Sequence, residues 1–493
     1  MTALIFLSAF LLYFAYPNIF FVKGFWPLAW VFAVPLLRGL EGKSWLKRLA
    51  TGVIFGLVFY GFLVQWFIPY TKVGYVIFVL ALSIQPVVFC LLIRPSTKKG
   101  LLYCFDIALC WLISELVRTA AMSGFSWGLA VSQTFNLPVL QSVSVIGGPG
   151  LAGVIIFFNA CIDLLIREPR CRKSCGWAAA AAFLIPYFWG ASQSTFRSIP
   201  GIQVAAVQPN IPPEEKINNQ LVYYQLEKLA TQTRELSVGR DLIIWPETAI
   251  PANFLAYPHM KQQVDDTARF LDSWMLVGGA LRDNENYYNS AVLMNSQGEV
   301  AGVYQKRILV PFSEYLPSGR FWTWLEQQFQ IHHFEFHAGD NTPVIMKLPP
   351  PDDNSLASTF GVLICNEDTI GKLFRQYAGA GASFIAVMLN DGWFSQKTAL
   401  LMHGQNAIIH TVEYGIPVLR TANSGWSCLI DPRGRIQGSL ADLQQRRNFS
   451  FDLLPEHRKT VYYYVYDYLP AVSIICLLLI RVRMFRRKEG ESR

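Results

Sequence analysis

The sequence predicts a multi-pass α-helical membrane domain of about eight spans joined to a layered α/β sandwich domain. Three observations predict it. Of 493 residues, 52% are hydrophobic and only 15% are charged, and the mean hydropathy is positive. An average soluble chain carries about 25% charged residues, so the charge deficit is the larger departure. All seven His (His259, His332, His333, His337, His403, His410, His457) lie between residues 195 and 460, whereas seven of the nine Cys lie outside that stretch. Lys and Arg gather in every second short loop between apolar runs. This composition excludes disorder, a coiled coil and a single small soluble domain.

A helix needs about 20 mostly apolar residues to cross a bilayer. Candidate spans are roughly 2–20, 25–41, 50–69, 74–94, 101–121, 148–166, 177–194 and 461–481. The first lacks the basic start and small-residue cleavage site of a signal peptide, so it reads as an anchor. The domains that follow are 1–195 with seven spans, 196–460 outside the membrane, a final span at 461–481 and a basic tail at 482–493.

Orientation follows the basic loops. Arg38, Lys43, Lys47 and Arg48 follow span two; Arg94, Lys98 and Lys99 follow span four; Arg167, Arg170, Arg172 and Lys173 follow span six. Arg481, Arg483, Arg486, Arg487 and Lys488 follow span eight. Both termini are therefore expected in the cytoplasm, and 196–460 on the far side, which in a Gram-negative bacterium is the periplasm. The formal charge of +8 then serves topology and not nucleic-acid binding. Asp106 and Glu115 fall inside span five, either as functional groups or as partners of Arg118. The stretch 121–147, with Phe125, Ser126, Trp127 and Gln133, reads as a segment lying at the membrane face.

Within 196–460, short β-rich runs alternate with helical patterns. Strands are expected at 202–208, 241–245, 275–280, 290–295, 300–305, 360–365, 383–388 and 417–421, with helices over 213–237 and 396–413. Continuous apolar strands belong to sheets covered on both faces.

Polar groups interrupt this pattern immediately after strands, where loops display chemistry. Trp245-Pro246-Glu247 sets a carboxylate behind a rigid proline. Lys306 follows a strand and precedes Pro311-Phe312-Ser313-Glu314-Tyr315. Cys365 ends an apolar run and is followed by Asn366-Glu367, and Asn390-Asp391-Gly392-Trp393-Phe394 follows another. A thiol, a lysine and a carboxylate are the parts of a covalent acyl-transfer site. Singly, each is ordinary: a cysteine at a strand end is more often packing, and a lone Glu or Lys is usually solvated. His332, His333 and His337 have no further ligand at metal-binding spacing, and the Cys lack a zinc pattern, so no metal is expected.

Together these motifs resemble the carbon–nitrogen hydrolase (nitrilase) superfamily, whose members use a Glu–Lys–Cys triad in an αββα sandwich. Glu247, Lys306 and Cys365 stand in that order, 59 residues apart in each interval. The membrane frame narrows the resemblance to the apolipoprotein N-acyltransferase family. Gln208-Pro209-Asn210-Ile211, Arg420 with Asn423 and Gly425, and Asp431-Pro432-Arg433-Gly434 agree with it. The resemblance implies Glu247 as general base, Lys306 as oxyanion and thiolate stabiliser, and Cys365 as nucleophile. It implies Glu314 and Glu367 as supporting carboxylates, and Trp245, Tyr288, Asn289 and Trp393 near a substrate cavity. The sequence departs from the family at Asn366, directly after Cys365, where tyrosine is common, and at Ser313, where glycine is common.

The implied reaction has two ping-pong halves and needs no cofactor. Cys365 takes an acyl chain from a phospholipid donor, phosphatidylethanolamine in the first instance, and passes it to the N-terminal amine of a diacylglyceryl-cysteine apolipoprotein. Both partners are held by the bilayer, since each buried CH₂ is worth about 0.8 kcal/mol. The implied location is the bacterial inner membrane. Phe321, Trp322, Trp324, Leu325 and Phe329, with Phe254, Leu255, Trp393 and Phe394, are candidates for lipid-facing lids or for packing. Two rival readings are a membrane-tethered amidase or nitrilase, and a non-enzymatic scaffold or transporter.

Overall fold

The computed structural model describes residues 2–69, 71–94, 100–122, 127–193, 201–216, 218–329, 335–350, 357–394, 396–438, 440–455 and 458–490. Within those, the side chains of residues 219, 321, 325, 329, 441 and 487–490 are not described. Phe125, Ser126, His332 and His333 therefore lie outside the described residues, as do the side chains of Phe321, Leu325 and Phe329. The chain divides into two compact units, Met1–Phe196 with Lys459–Arg493, and Arg197–Arg458.

The first unit is helical. Among the described residues, four helices are long and apolar enough to cross a membrane: Trp45–Leu63, Lys72–Leu92, Val143–Arg167 and Val461–Arg486. That is fewer than the eight spans expected. Thr2–Ala15 and Trp26–Leu40 are apolar but shorter. Leu101–Ala121 has the length but carries Asp106, Glu115 and Arg118, and Arg172–Ser192 opens on two cations.

Those acids have local partners. Arg481 Nε donates to Asp106 Oδ1 at 2.7 Å, which ties the last helix to Leu101–Ala121. Glu115 accepts from Trp111 Nε1 at 2.9 Å and from the Leu129 N–H at 2.8 Å. Trp127 and Gln133, expected at a membrane face, are instead buried inside the unit. Gln133 accepts from Trp30 Nε1, so the polar side chain is satisfied internally. Cys104, Cys161 and Cys175 come from three helices and hold their sulfurs within 4.8 Å of one another. Three thiolates about a divalent ion would leave uncompensated negative charge in an apolar interior.

The second unit contains two six-stranded sheets. The first has the order β12-β1-β2-β3-β4-β5, from Arg447–Leu453, Ile202–Gln208, Leu242–Ile244, Trp274–Asp283, Asn286–Met294 and Val300–Gln305. The second has the order β11-β10-β9-β8-β7-β6, from Ile436–Gln437, Cys428–Ile430, Val418–Ala422, Phe384–Leu389, Ser358–Ile364 and Met346–Leu348. All eight expected strands form. Strands β6, β11 and β12 were not expected as strands, although β12 alternates buried and exposed residues as a one-sided strand should.

One core lies between the sheets and includes Val204, Ile244, Leu293, Phe360, Ile364, Phe384 and Leu419. A second lies between the first sheet and the helices Val222–Thr233 and Pro258–Leu271. On the second sheet the helix Gly371–Gly379 packs through Tyr377, whose hydroxyl donates to the Val362 carbonyl at 2.8 Å. The helix expected over 396–413 forms as Lys397–Tyr414. The helix expected over 213–237 is broken into Pro213–Lys216, a 3₁₀ turn and Val222–Thr233. The arrangement is an α-β-β-α sandwich.

Strands β1, β2 and β3 are mutually parallel, as are β7, β8 and β9. Crossover connections of this kind leave the strand carboxyl ends for function. Glu247 follows β2, Cys365 follows β7 and Asp391 follows β8.

Candidate active site

Each candidate reaches the site because a strand ladder is extended and then broken. The Trp245 N–H donates to the Leu276 carbonyl, one residue beyond β2, before Pro246 ends the ladder. The close approach of β3 needs Gly278, since a Cβ there would stand 2.2 Å from the Pro246 oxygen. The Lys306 N–H donates to the Asn289 carbonyl at 2.8 Å, one residue beyond β5. Three non-glycine residues here have left-handed backbones: Thr248 (φ 43°), Phe312 (φ 65°) and Cys365 (φ 55°). A β-branched residue such as Thr248 is costly in that region, and strain of this kind collects where geometry serves function.

The buried polar cluster is built around Asn289. Its two amide hydrogens are shared between Glu247 Oε1 at 2.8 Å and Glu314 Oε1 at 2.9 Å. Lys306 Nζ lies 2.7 Å from Glu314 Oε2 and 3.8 Å from Glu247 Oε1. Glu314 also accepts the Val310 N–H at 2.8 Å, which fixes the loop between them. All four side chains are buried.

Glu367 joins the lysine loop to the cysteine turn. Its carboxylate accepts the N–H groups of Arg307 (2.8 Å) and Ile308 (3.0 Å), the Ile364 N–H (2.8 Å) and the Tyr304 hydroxyl (2.8 Å). Four donors on one fully buried carboxylate set the residue before Cys365 against the residue after Lys306. Cys365 itself is half-buried and opens the 3₁₀ turn Cys365–Thr369.

Electrostatics give the cluster its chemistry. Burial pushes the Glu247 carboxyl above the usual carboxylate range; Lys306 opposes that rise and Glu314 adds to it. Burial pulls the Lys306 ammonium down, but Glu314, Cys365 and Glu247 outweigh it and hold the amine charged. Burial first, and Glu247 next, push the Cys365 thiol well above its ordinary value. The resting pair is then a thiol and a carboxylate of raised basicity. Such a pair suits proton transfer in step with bond formation.

The carbon–nitrogen hydrolase family matches residues 203–446, and the apolipoprotein N-acyltransferase N-terminal domain matches residues 8–161. An apolipoprotein N-acyltransferase of Geobacter metallireducens is 28% identical over 88% of this chain and 85% of its own. One of Brucella melitensis is 31% identical over 76% of this chain and 71% of its own. This chain belongs to the apolipoprotein N-acyltransferase family. It is an acyltransferase of the carbon–nitrogen hydrolase superfamily and a membrane protein. A solved structure similar to it is an amidase from Nesterenkonia sp. AN1, 16% identical with a TM-score of 0.38, covering 53% of this chain and 95% of that one.

Not every residue carried over from the acyltransferase family joins the cluster. Trp245 is fully buried in the outer core, where its indole donates to Thr233 Oγ1 at 2.9 Å; it anchors the turn that bears Glu247. Asn289 bridges the two carboxylates instead of lining open space. Tyr288 is half-buried beside His337, and Trp393 is exposed. Phe254 is fully buried in the outer core, which removes it from the lid candidates, and Leu255 packs against that core. Trp324 is exposed, and Trp322 packs edge-on against Phe312. Gln208 and Asn423, from family-like segments, are scaffold: Gln208 bonds Ser427, and Asn423 clasps both backbone groups of Ile211.

Sequence reasoning missed two features. Lys216 is buried beside Glu247, and its setting in Pro-Glu-Glu-Lys reads as a solvated helix start. The second is a buried charge chain, Asp391–His403–Asp368–Arg420. His403 Nδ1 lies 2.9 Å from Asp391 Oδ1 and Nε2 lies 2.8 Å from Asp368 Oδ1, while Arg420 Nε donates to Asp368 Oδ2 at 3.1 Å. Asp368 lies in the turn that begins at Cys365, so the chain braces that turn. No local spacing could reveal it, because its members come from four elements.

Burial lowers His403, but Asp368 and Asp391 outweigh it and lift the imidazole to about 10. A group with a raised folded value stabilises fully below its unfolded value of about 6.5, and that contribution fades as pH rises through the folded one. Thermal unfolding of the purified protein should therefore show a midpoint that declines between about pH 6.5 and pH 10. His403→Gln should flatten that decline; an unchanged slope would contradict the imidazolium assignment.

Proposed function

We propose that this chain moves an acyl group from a phospholipid to the N-terminal amine of a diacylglyceryl-cysteine apolipoprotein, using Glu247, Lys306 and Cys365 as its triad. The observation that carries the reading is the Asn289-bridged cluster of Glu247, Lys306 and Glu314, with Cys365 on a strained turn in the same electrostatic field. In the first half, Cys365 Sγ attacks the ester carbonyl of the donor, with phosphatidylethanolamine as the first candidate, and its proton passes to Glu247. Lys306 faces the oxyanion. Collapse breaks the C–O bond, and Glu247 returns the proton to the leaving lysophospholipid oxygen.

In the second half the acceptor amine attacks the thioester carbonyl and Glu247 takes the amine proton. Collapse breaks the C–S bond, forms the amide and releases Cys365, which recovers its proton. The reaction class is acyl transfer with a covalent intermediate, which produces ping-pong kinetics. Glu314 holds Lys306 in place, and Glu367 holds the Cys365 turn. Membrane-bound substrates account for the apolar helices, and the basic-loop pattern supports an inner-membrane protein with its catalytic unit on the periplasmic side.

The test is reconstitution of the purified protein with phosphatidylethanolamine and a diacylglyceryl-cysteine lipopeptide in micelles. N-acylated peptide should accumulate, with parallel double-reciprocal lines as donor is varied at fixed acceptor levels. Hydrolysis of small amides without peptide acylation would replace this reading with the membrane-tethered amidase.

A further inference from the structure

Lys216 ends the short helix Pro213–Lys216 and is 5% exposed. Its Nζ donates to the main-chain carbonyl of Glu247 at 2.8 Å. A lysine is almost never buried without a carboxylate partner, yet the bond here is to a carbonyl. The charges around it supply the reason.

Glu247, in the turn after β2, and Cys365, at the end of β7, are the charges that act on the Lys216 ammonium. Behind Glu247 stand Glu314 and Lys306, and Asp391 reaches Cys365 while paired with His403. Glu247 and Glu314 against Lys306 alone would leave one negative charge in excess in a buried site, apart from Glu367, whose carboxylate is met by four donors of its own. Low-dielectric surroundings make that excess costly, and they oppose any further negative charge on Cys365. A second ammonium removes it.

We propose that Lys216 is a positioning residue for the transfer, whose ammonium tethers the Glu247 turn and balances the second buried carboxylate so that Cys365 can lose its proton. The inference rests on Cys365 as the nucleophile proposed above. Burial pushes the Lys216 amine down to about 7, while Glu247 and Cys365 pull it back up. The cation is therefore coupled to the charge on the very groups that exchange the proton.

The test uses the full-length protein with Lys216→Met, Lys216→Gln and Lys216→Arg. The rate of iodoacetamide alkylation at Cys365 is followed against pH by peptide mass spectrometry, alongside kcat and KM for phospholipid. Both neutral variants should shift the alkylation midpoint upward by about one pH unit or more. Their kcat should fall at least about tenfold with KM changed less than about twofold. The Arg variant, which keeps the charge, should return toward the wild-type profile.

A wild-type alkylation midpoint in the neutral variants would overturn the proposal, as would a lowered melting temperature with an unmoved pH profile. If the Met variant does not fold, the Gln variant decides, because its amide can still donate to the Glu247 carbonyl. Alkylation needs no lipid. A shifted midpoint in a protein that never acylates Cys365 from phospholipid would thus remove the transfer reading and leave the Lys216 role standing.

Discussion

Cys365→Ser is expected to lower acyl transfer by on the order of 10⁴-fold or more while the protein stays folded. The exchange replaces one atom at a half-buried position, so packing changes little. The backbone there is held by the Glu367 bond to the Ile364 N–H and by the Asp368 links to His403 and Arg420, none of which involves the sulfur. What changes is ionisation. A hydroxyl gives up its proton far less readily than a thiol, and Glu247, though of raised basicity, remains a carboxylate. Turnover within about tenfold of wild type would show that the sulfur is not the attacking atom.

Glu247→Gln is expected to reduce kcat by roughly 10³-fold, within the range for removing a positioned general base. The amide has nearly the size of the carboxylate, and its oxygen can still accept from Asn289 Nδ2. Lys306 retains Glu314 at 2.7 Å, so that ammonium keeps a carboxylate partner. The melting temperature should move little, and the loss should fall on kcat more than on KM. A large rise in KM with kcat preserved would assign Glu247 to substrate binding instead of proton transfer.

Much of the sandwich was legible because its strands are local signals. Ile202–Gln208 and Phe384–Leu389 are short apolar runs, and their periodicity survives without knowledge of partners. The three residues proposed as a triad stood out because Glu247, Lys306 and Cys365 each break such a run at its end. The membrane unit was read less well. Apolar length alone made 2–20 a span, where the helix is the shorter Thr2–Ala15, and it did not anticipate that Asp106 would pair with Arg481, some 375 positions away in sequence.

The groups that tune the site were mostly hidden for the same reason. The resemblance implied Asn289 near a substrate cavity, but its bridge between two carboxylates from different loops appeared only when β4 brought its amide there. Lys216 looked like a surface residue because burial is a tertiary property, and nothing in Pro-Glu-Glu-Lys announces it. His403 sits in an apolar helix, and only the fold sets a carboxylate on each side of its ring. Local sequence reports which chemistry is available, and long-range packing decides its basicity.

In the proposed mechanism Cys365 carries the acyl chain between donor and acceptor. Mass spectrometry of the purified protein after incubation with phosphatidylethanolamine alone tests it most directly. The peptide containing Cys365 should gain the mass of one acyl group, which added lipopeptide removes and Cys365→Ala lacks. Folded protein that leaves Cys365 unmodified in the presence of phospholipid would contradict it.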